Sequence, residues 1–464
     1  MNNNPADSLE FANDFFFKEV ETFLKENMKV LFRVKGGSMR PFLQDGDVVR
    51  IAPVAFDTLR RGDIILARTA FGVLLHRIVG IRKDNVRLAG DANRRLERAA
   101  FLSLLRAGLW GSASYCNLGG SNPGSGYFPL TGEEWEIIYL LARRQTVEGL
   151  VYDGILRLPV PLLPPSPLLM RWTAEIDGIE RQNKQMDGTL GNLNRWLEKK
   201  GLKAWLMKGQ GVAACYEQPL HRRCGDIDLY FPEPRDAERM IGLLRAEGVV
   251  MERQPGMSIL YRHENCQIDQ HARLVDIHNP FVSKYISSLI REETGNAILW
   301  ETGGTSVTLP SPVLAHLISN AHILKHLMAV GVGLRQLCDS ARICCRYHEC
   351  IDGGRLEQIY RKVGIYRWVQ GLHRVLVEEL GMPESYLPFP LSGSGSRDTR
   401  WMKDVWEGGN FGFYDERTGH PASIGRRKRM FGQLAYHLLP QIRYAPAEAF
   451  WFPVMQLYSR FNRK

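Results

Sequence analysis

Two carboxylates stand one residue apart in Arg222-Arg223-Cys224-Gly225-Asp226-Ile227-Asp228-Leu229-Tyr230-Phe231, within a largely apolar run. Successive side chains of a β-strand alternate faces. Asp226, Asp228 and Tyr230 therefore share one face, and Ile227, Leu229 and Phe231 share the other. The two Asp lie roughly 6–7 Å apart at Cα, and their repulsion is relieved if both turn toward one divalent cation, most simply Mg²⁺ with its preference for oxygen ligands. A lone Asp-x-Asp usually marks only the wet face of a strand, so its neighbours decide. Upstream, Lys203–Met207 reads as a strand, Lys208 and Gly209 as a turn, and Gly211–Tyr216 as a short helix. Such a turn aims backbone N–H groups at an anion. Downstream, Cys266-Gln267-Ile268-Asp269-Gln270-His271 reads as another strand carrying Asp269 and His271 on one face. Asp276 and His278 repeat that acid-x-His spacing, so two candidates exist for a third carboxylate.

A second group of chemistry-bearing residues lies nearer the N-terminus. Ser38 follows Gly36-Gly37 and precedes Met39-Arg40-Pro41, His76 sits in the apolar run Val73–Ile81, and Asp91 follows Gly90. Gly46-Asp47 and Gly62-Asp63 mark β-turns between them.

The elements that must position these groups follow from composition and pattern. With 464 residues, 44% of them hydrophobic and 24% charged, the chain is a multidomain folded protein with a large core. Its net charge of +10 suits a polyanionic partner and leaves nucleic acid open, although only Arg426–Arg429 and the final Arg460-Phe461-Asn462-Arg463-Lys464 cluster the excess. Eight cysteines show no Cys-x-x-Cys pair and no zinc spacing, which favours reduced thiols and a cytoplasmic location. No leader pattern opens the chain, and no run is long and apolar enough for a transmembrane helix.

Residues 8–30 read as an amphipathic helix. Val30–Arg95 then breaks into short β-type runs, and 1–110 is expected to form a small β-rich domain. Residues 111–127, rich in Gly, Ser and Asn, read as a linker. A helical lead-in over 128–200 has Thr131 and Glu134 in capping-box register, with a long helix at Leu169–Lys200. An α/β core occupies 201–310, with further strands near Val249, Ile259 and Gln267. A helical region with a basic, aromatic tail fills 311–464. Pro440, Pro446 and Pro453 interrupt that tail, which is expected to pack on its own domain. The fold class is multidomain α+β.

Strand, Gly turn, helix, Arg222, the two Asp and a distal acid-x-His together resemble the nucleotidyltransferases of the DNA polymerase β superfamily. More narrowly, Glu134–Asp339 resembles a poorly characterised bacterial nucleotidyltransferase family, whose pattern is matched by Lys208-Gly209, Arg222, Asp226, Asp228 and Asp269-Gln270-His271. The helical stretch His322–Asp339 is also similar to that family. The resemblance implies transfer of a nucleoside monophosphate from an NTP to an acceptor. Asp226, Asp228 and Asp269 would hold two Mg²⁺ ions, and the Gly209-Gln210 turn would cradle phosphates. Lys208 and Arg222 would offset phosphate charge. Many superfamily members have Ser where Gln210 stands, so a hydroxyl contact is lost. Asp269 is preferred to Asp276 because Gln270-His271-Ala272-Arg273-Leu274 continues the family pattern, and His271 and His278 are expected to be structural or acceptor-side residues.

Val34–Asn93 resembles the S24/S26 serine peptidases, both self-cleaving repressors and signal peptidases. That resemblance implies Ser38 as nucleophile, His76 as base and Asp91 as its partner, acting on a peptide substrate. Two other readings remain open at this stage: a peptidase carrying a degenerate nucleotide-binding domain, and a non-catalytic adaptor.

Overall fold

The structure is a computed structural model that describes residues 13–34, 39, 42, 43, 46–69, 72–82, 85–89, 95–116, 127–254, 258–393, 401–412 and 437–461. It divides into two compact units, 1–99 and 100–464.

In the first unit, helix α1 (Asn13–Lys25) precedes an antiparallel pair, β1 (Val30–Arg33) with β2 (Val48–Ile51), and a three-stranded antiparallel sheet of β3 (Ile64–Thr69), β4 (Gly72–Arg82) and β5 (Asn85–Ala89). These strands fill the short β-type runs expected across Val30–Arg95. Both Gly-Asp turns require glycine, because Gly46 and Gly62 hold φ of +92° and +103°. Arg33 and Arg77 each donate to one of those glycine carbonyls, at 2.7 and 2.6 Å. The Asp63 carboxylate accepts from the Arg60 N–H at 2.8 Å and closes its turn.

Helix α2 (Arg95–Trp110) carries the chain into the second unit, which continues with α3 (Gly132–Gln145), α4 (Glu148–Ile155) and the long α5 (Ser166–Lys199). The capping box is present as read: Thr131 accepts from the Glu134 N–H, and the Glu134 carboxylate accepts from the Thr131 N–H at 2.8 Å. Within the expected linker, 117–126 lies outside the described residues. Ala113–Tyr115 is a single 3₁₀ turn capped by Ser112.

The chain then builds β6 (Trp205–Leu206), α6 (Gln210–Ala213), β7 (Ile227–Tyr230), α7 (Pro234–Ala246), β8 (Met251–Arg253), β9 (Ile259–His263), β10 (Cys266–His271), α8 (Ser283–Glu293), β11 (Ile298–Thr302) and β12 (Thr305–Leu309). These strands form one mixed sheet in the order β11-β12-β6-β7-β10-β9-β8, with β12–β6 and β10–β7 parallel. The β11–β12 hairpin was not foreseen, although its signal was there. Gly303 and Gly304, both at positive φ between β-type runs, make the two-residue turn that a tight hairpin needs. Gly303 has a second constraint: a Cβ there would lie 2.3 Å from the Asp187 carbonyl oxygen of α5.

Helices complete the unit as α9 (Pro312–Ala329), α10 (Leu334–Tyr347), α11 (Gly353–Val363), α12 (Tyr366–Glu378), α13 (Trp401–Gly408) and α14 (Pro446–Phe461). The alternation in β7 governs packing. Ile227, Leu229 and Phe231 are buried with Met240 and Leu244 of α7 and with Ile268 of β10, each worth about 2 kcal/mol of burial. A larger core gathers α2 to α5 and α9 to α13. The tail packs on this unit as expected. Phe452 is buried against His278, and the wholly buried Glu448 carboxylate accepts from the backbone N–H groups of His278 and Asn279 at 2.7 and 2.9 Å. Pro453 lies inside α14 instead of breaking it. Both basic clusters fall wholly or mostly outside the described residues.

Candidate functional site

Asp228 occupies the centre of the sheet. On one side, β6 runs antiparallel and the Met207 N–H donates to the Asp228 carbonyl at 2.9 Å. On the other, β10 runs parallel with Asp269 opposite Asp228 and His271 opposite Tyr230. Paired residues on adjacent strands lie about 4.8 Å apart on the same face, so register alone brings these carboxylates together. Asp228 Oδ1 accepts from His271 Nε2 at 2.6 Å and from Lys208 Nζ at 3.2 Å. His271 Nε2 also stands 3.3 Å from Asp269 Oδ2, while Asp269 Oδ1 is buried without a hydrogen-bond partner. Ligand atoms of Asp228, Asp269 and His271 all lie within 4.8 Å of one another, the one such cluster among the described residues.

The two strand carboxylates are affected in opposite directions. Burial, reinforced by the neighbouring Asp228 charge, pushes the Asp226 carboxyl up to about 6 in spite of Lys208. Burial also opposes ionisation of Asp228, but Lys208 and the His271 hydrogen bond outweigh it and hold this carboxyl below the ordinary range. Lys208 loses hydration, yet Asp228, Asp276 and Asp226 keep it firmly protonated. The orphaned Asp269 oxygen and the carboxylate donors of Asp228 and Asp269 are the chemistry a hard divalent cation takes, with His271 as the third member of the cluster.

The other expected residues are distributed as follows. Gly209 adopts φ +58°, ψ −117°, and a Cβ there would meet the Asp226 carbonyl at 3.2 Å, so only glycine lets this turn pass so close to the Asp-x-Asp strand. Gln210 begins α6, a helix of a single turn, with its side chain buried and both amide atoms unpartnered. Arg222 is buried and bidentate to Asp339 of α10, with Nε and Nη2 each 2.7 Å from a carboxylate oxygen. Tyr216 donates to the same carboxylate at 2.7 Å. The Arg222 guanidinium is thus committed to anchoring the approach to β7. Asp276 is not among the trio: it accepts from His322 Nδ1 at 2.8 Å and Lys325 Nζ at 2.9 Å. His278 pairs with Glu448 at 3.2 Å. His271, expected in a structural or acceptor-side role, stands inside the acidic cluster.

A cavity of about 510 Å³ opens over the trio, a size suited to a small-molecule ligand. Lys208, Gly209, Asp226, Asp228 and Asp269 line it from the sheet side. Asp276, His322, Lys325, His326 and Arg335 line it from the loop after β10 and from α9 and α10. The sequence reading missed the last four of these. His322, Lys325 and His326 had a signal, since spacing i, i+3, i+4 puts them on one helix face. Arg335 donates Nη1 to the Arg223 carbonyl at 2.8 Å and leaves Nε buried without a partner. It has no carboxylate partner among the described residues. Burial and then Arg222 lower its pKa, and the Asp339 charge offsets them in part.

In the first unit, His76 lies half-buried on β4 opposite Ile65. Ser38 and Asp91 lie outside the described residues.

Strand carboxylates at the centre of a mixed sheet thus share one cavity with Lys208, Lys325 and Arg335. The chain belongs to the uncharacterised nucleotidyltransferase family, whose pattern matches residues 131–380. Residues 3–98 match the Peptidase S24-like family. No curated protein matches the chain. Among solved structures it is similar to an antigenic nucleotidyltransferase-like protein from Paracoccidioides brasiliensis, with 15% identity, a TM-score of 0.26, and 43% of this chain and 92% of that chain covered. No helix among the described residues is long and apolar enough to cross a membrane.

Proposed function

We propose that the second unit transfers a nucleoside monophosphate from an NTP to an acceptor, with Mg²⁺ held by Asp226, Asp228 and Asp269. The observation that carries this reading is the parallel β7–β10 register, which sets Asp269 beside Asp228 on the cavity floor. Bound there, Mg²⁺ would supply charge neutralisation for the triphosphate and acidify an attacking hydroxyl. The chain's own groups do the rest. Lys208 and Arg335 face the phosphates, Gly209 lets backbone N–H groups approach them, and Arg222 holds the Asp-x-Asp strand through Asp339. Arg222 accordingly acts by position and not by phosphate contact. His271 orients the Asp228 carboxylate.

Incubation with α-labelled ATP, GTP, CTP and UTP and Mg²⁺, following pyrophosphate release and label transfer to cell-extract components, tests the assignment. Wild type is expected to turn over at least one NTP, and Asp226→Asn/Asp228→Asn to lose that turnover. Equal turnover in the two proteins refutes the site. For the first unit we propose Ser38 as a peptidase nucleophile activated by His76, itself oriented by Asp91. A fluorophosphonate probe is expected to label wild type and spare Ser38→Ala, and equal labelling removes that role.

A further inference from the structure

Asp276, His322 and Lys325 form a hydrogen-bonded group on the cavity wall opposite the sheet, and neither the family match nor the acidic trio gives them a task. We propose that His322 is the general base that takes the proton from the attacking acceptor, with Asp276 as the residue that orients it. This deepens the nucleotidyltransfer reading and rests on it.

The geometry is that of an acid–imidazole dyad. An ionised Asp276 can only accept, so the 2.8 Å contact to His322 Nδ1 makes Nδ1 the donor and leaves the lone pair on Nε2. Nε2 has no hydrogen-bond partner among the described residues, and His322 lines the same cavity as Asp226 and Asp228. The ring is held from its other side by His326, whose centroid lies 4.3 Å away in an edge-to-face contact, and His326 in turn packs on Phe411 at 4.9 Å. Lys325 Nζ, 2.9 Å from Asp276 Oδ1, fixes the carboxylate. Both partners of the base are thus immobilised before any acceptor arrives, which is the arrangement that general-base catalysis requires.

Charge supports the assignment. Burial, then Lys208, holds His322 down to about 4, so the imidazole is neutral before any substrate binds. Asp276 stays ionised because Lys325 and the His322 bond overcome its burial. A triphosphate docking against Lys208 brings negative charge into the cavity and raises the basicity of His322 at the moment it is needed. In the step itself, the acceptor oxygen forms a bond to the α-phosphorus. The bond from that phosphorus to the oxygen bridging to the β-phosphate breaks, pyrophosphate leaves with the electron pair, and the acceptor proton passes to Nε2. The resulting imidazolium is paired with Asp276 and returns its proton to water. This assignment also separates the two acids: Asp276 serves the base, while Asp269 serves the metal.

The test uses the full chain, Mg²⁺ and labelled ATP, GTP, CTP and UTP with water as acceptor, reading pyrophosphate release for His322→Ala, His322→Gln and Asp276→Asn. General-base loss predicts a fall in kcat on the order of 10²–10³-fold for both His322 variants, with KM for the NTP within about 3-fold. Added imidazole is expected to restore part of kcat in His322→Ala alone. Asp276→Asn is expected to lose less than either. His322→Gln keeps a hydrogen-bonding group on Asp276, so it serves where the alanine variant fails to fold. An unchanged kcat in a folded His322 variant, or a loss carried by KM without imidazole rescue, overturns the proposal while the metal-site reading stands. A wild type that releases no pyrophosphate from any NTP, or release that survives Asp226→Asn/Asp228→Asn, overturns both.

Discussion

Asp339→Ala isolates the energetic role of the anchor beneath the Asp-x-Asp strand. Its carboxylate accepts three hydrogen bonds of 2.7 Å, two from Arg222 and one from Tyr216, in a site where the arginine is 6% exposed. Removing one partner of a buried ion pair leaves an uncompensated charge and costs about 4 kcal/mol. Replacing both partners with apolar residues of similar bulk avoids that penalty, so Arg222→Met/Asp339→Leu is expected to recover most of the loss. Urea unfolding followed by tryptophan fluorescence reads this cleanly, because all ten tryptophans lie beyond residue 99 and report on the second unit. With a slope of about 3 kcal/mol per molar urea, the single substitution is expected to lower the midpoint by about 1.3 M. A shift below about 0.3 M, or a double variant no more stable than the single one, refutes the reasoning that Arg222 is held by Asp339 as a desolvated pair.

Asp187 is raised to about 6 by burial alone. The folded state therefore binds its proton more tightly, and the stability present below the unfolded pKa near 4 is lost as pH rises through 6. Allowing for solvent screening of this half-buried group, Asp187→Asn is expected to stabilise by about 1 kcal/mol at pH 8 and by almost nothing at pH 4 in chemical denaturation. A Cβ on Gly108 would lie 1.8 Å from the Leu150 carbonyl oxygen, so Gly108→Ala must part α2 from α4 and is expected to cost about 3 kcal/mol. Gly188→Ala on the exposed face of α5 meets nothing within 4 Å and is expected to gain about 0.5–1 kcal/mol, and comparing the two by thermal melts checks the contact. Mn²⁺ binding followed by electron paramagnetic resonance is expected to weaken on the order of 100-fold in Asp269→Asn and by less than about 3-fold in Asp276→Asn; the reverse order would exchange their roles.

What could be read from the sequence was what neighbouring residues decide among themselves. The Thr131–Glu134 capping box, the glycine turns at Gly46 and Gly62, and the burial of Ile227, Leu229 and Phe231 all follow from spacing within a few positions. The spacing of residues alone leaves Asp269 and Asp276 equivalent; strand order and register, which join residues some forty positions apart, set Asp269 beside Asp228. Arg222 illustrates the same limit, since nothing near it in the sequence marks Asp339 of α10 as its bidentate partner. His322 and Arg335 reach the cavity only through helix packing. Strand β6 covers only Trp205 and Leu206 of the expected Lys203–Met207, with Met207 still donating to Asp228 before the chain bends at Gly209.

Glu448 gives the C-terminal tail a meaning that a family boundary at residue 380 conceals. Its carboxylate caps the two amides that follow the Asp276 loop, and Met455 and Tyr458 of the same helix help wall the cavity. A fragment trimmed to the shared family core would strip the cap from those amides and open one side of the chamber. The tail is therefore built into the chamber itself, where a change at Met455 or Tyr458 can retune what enters without altering Asp226, Asp228 or Asp269.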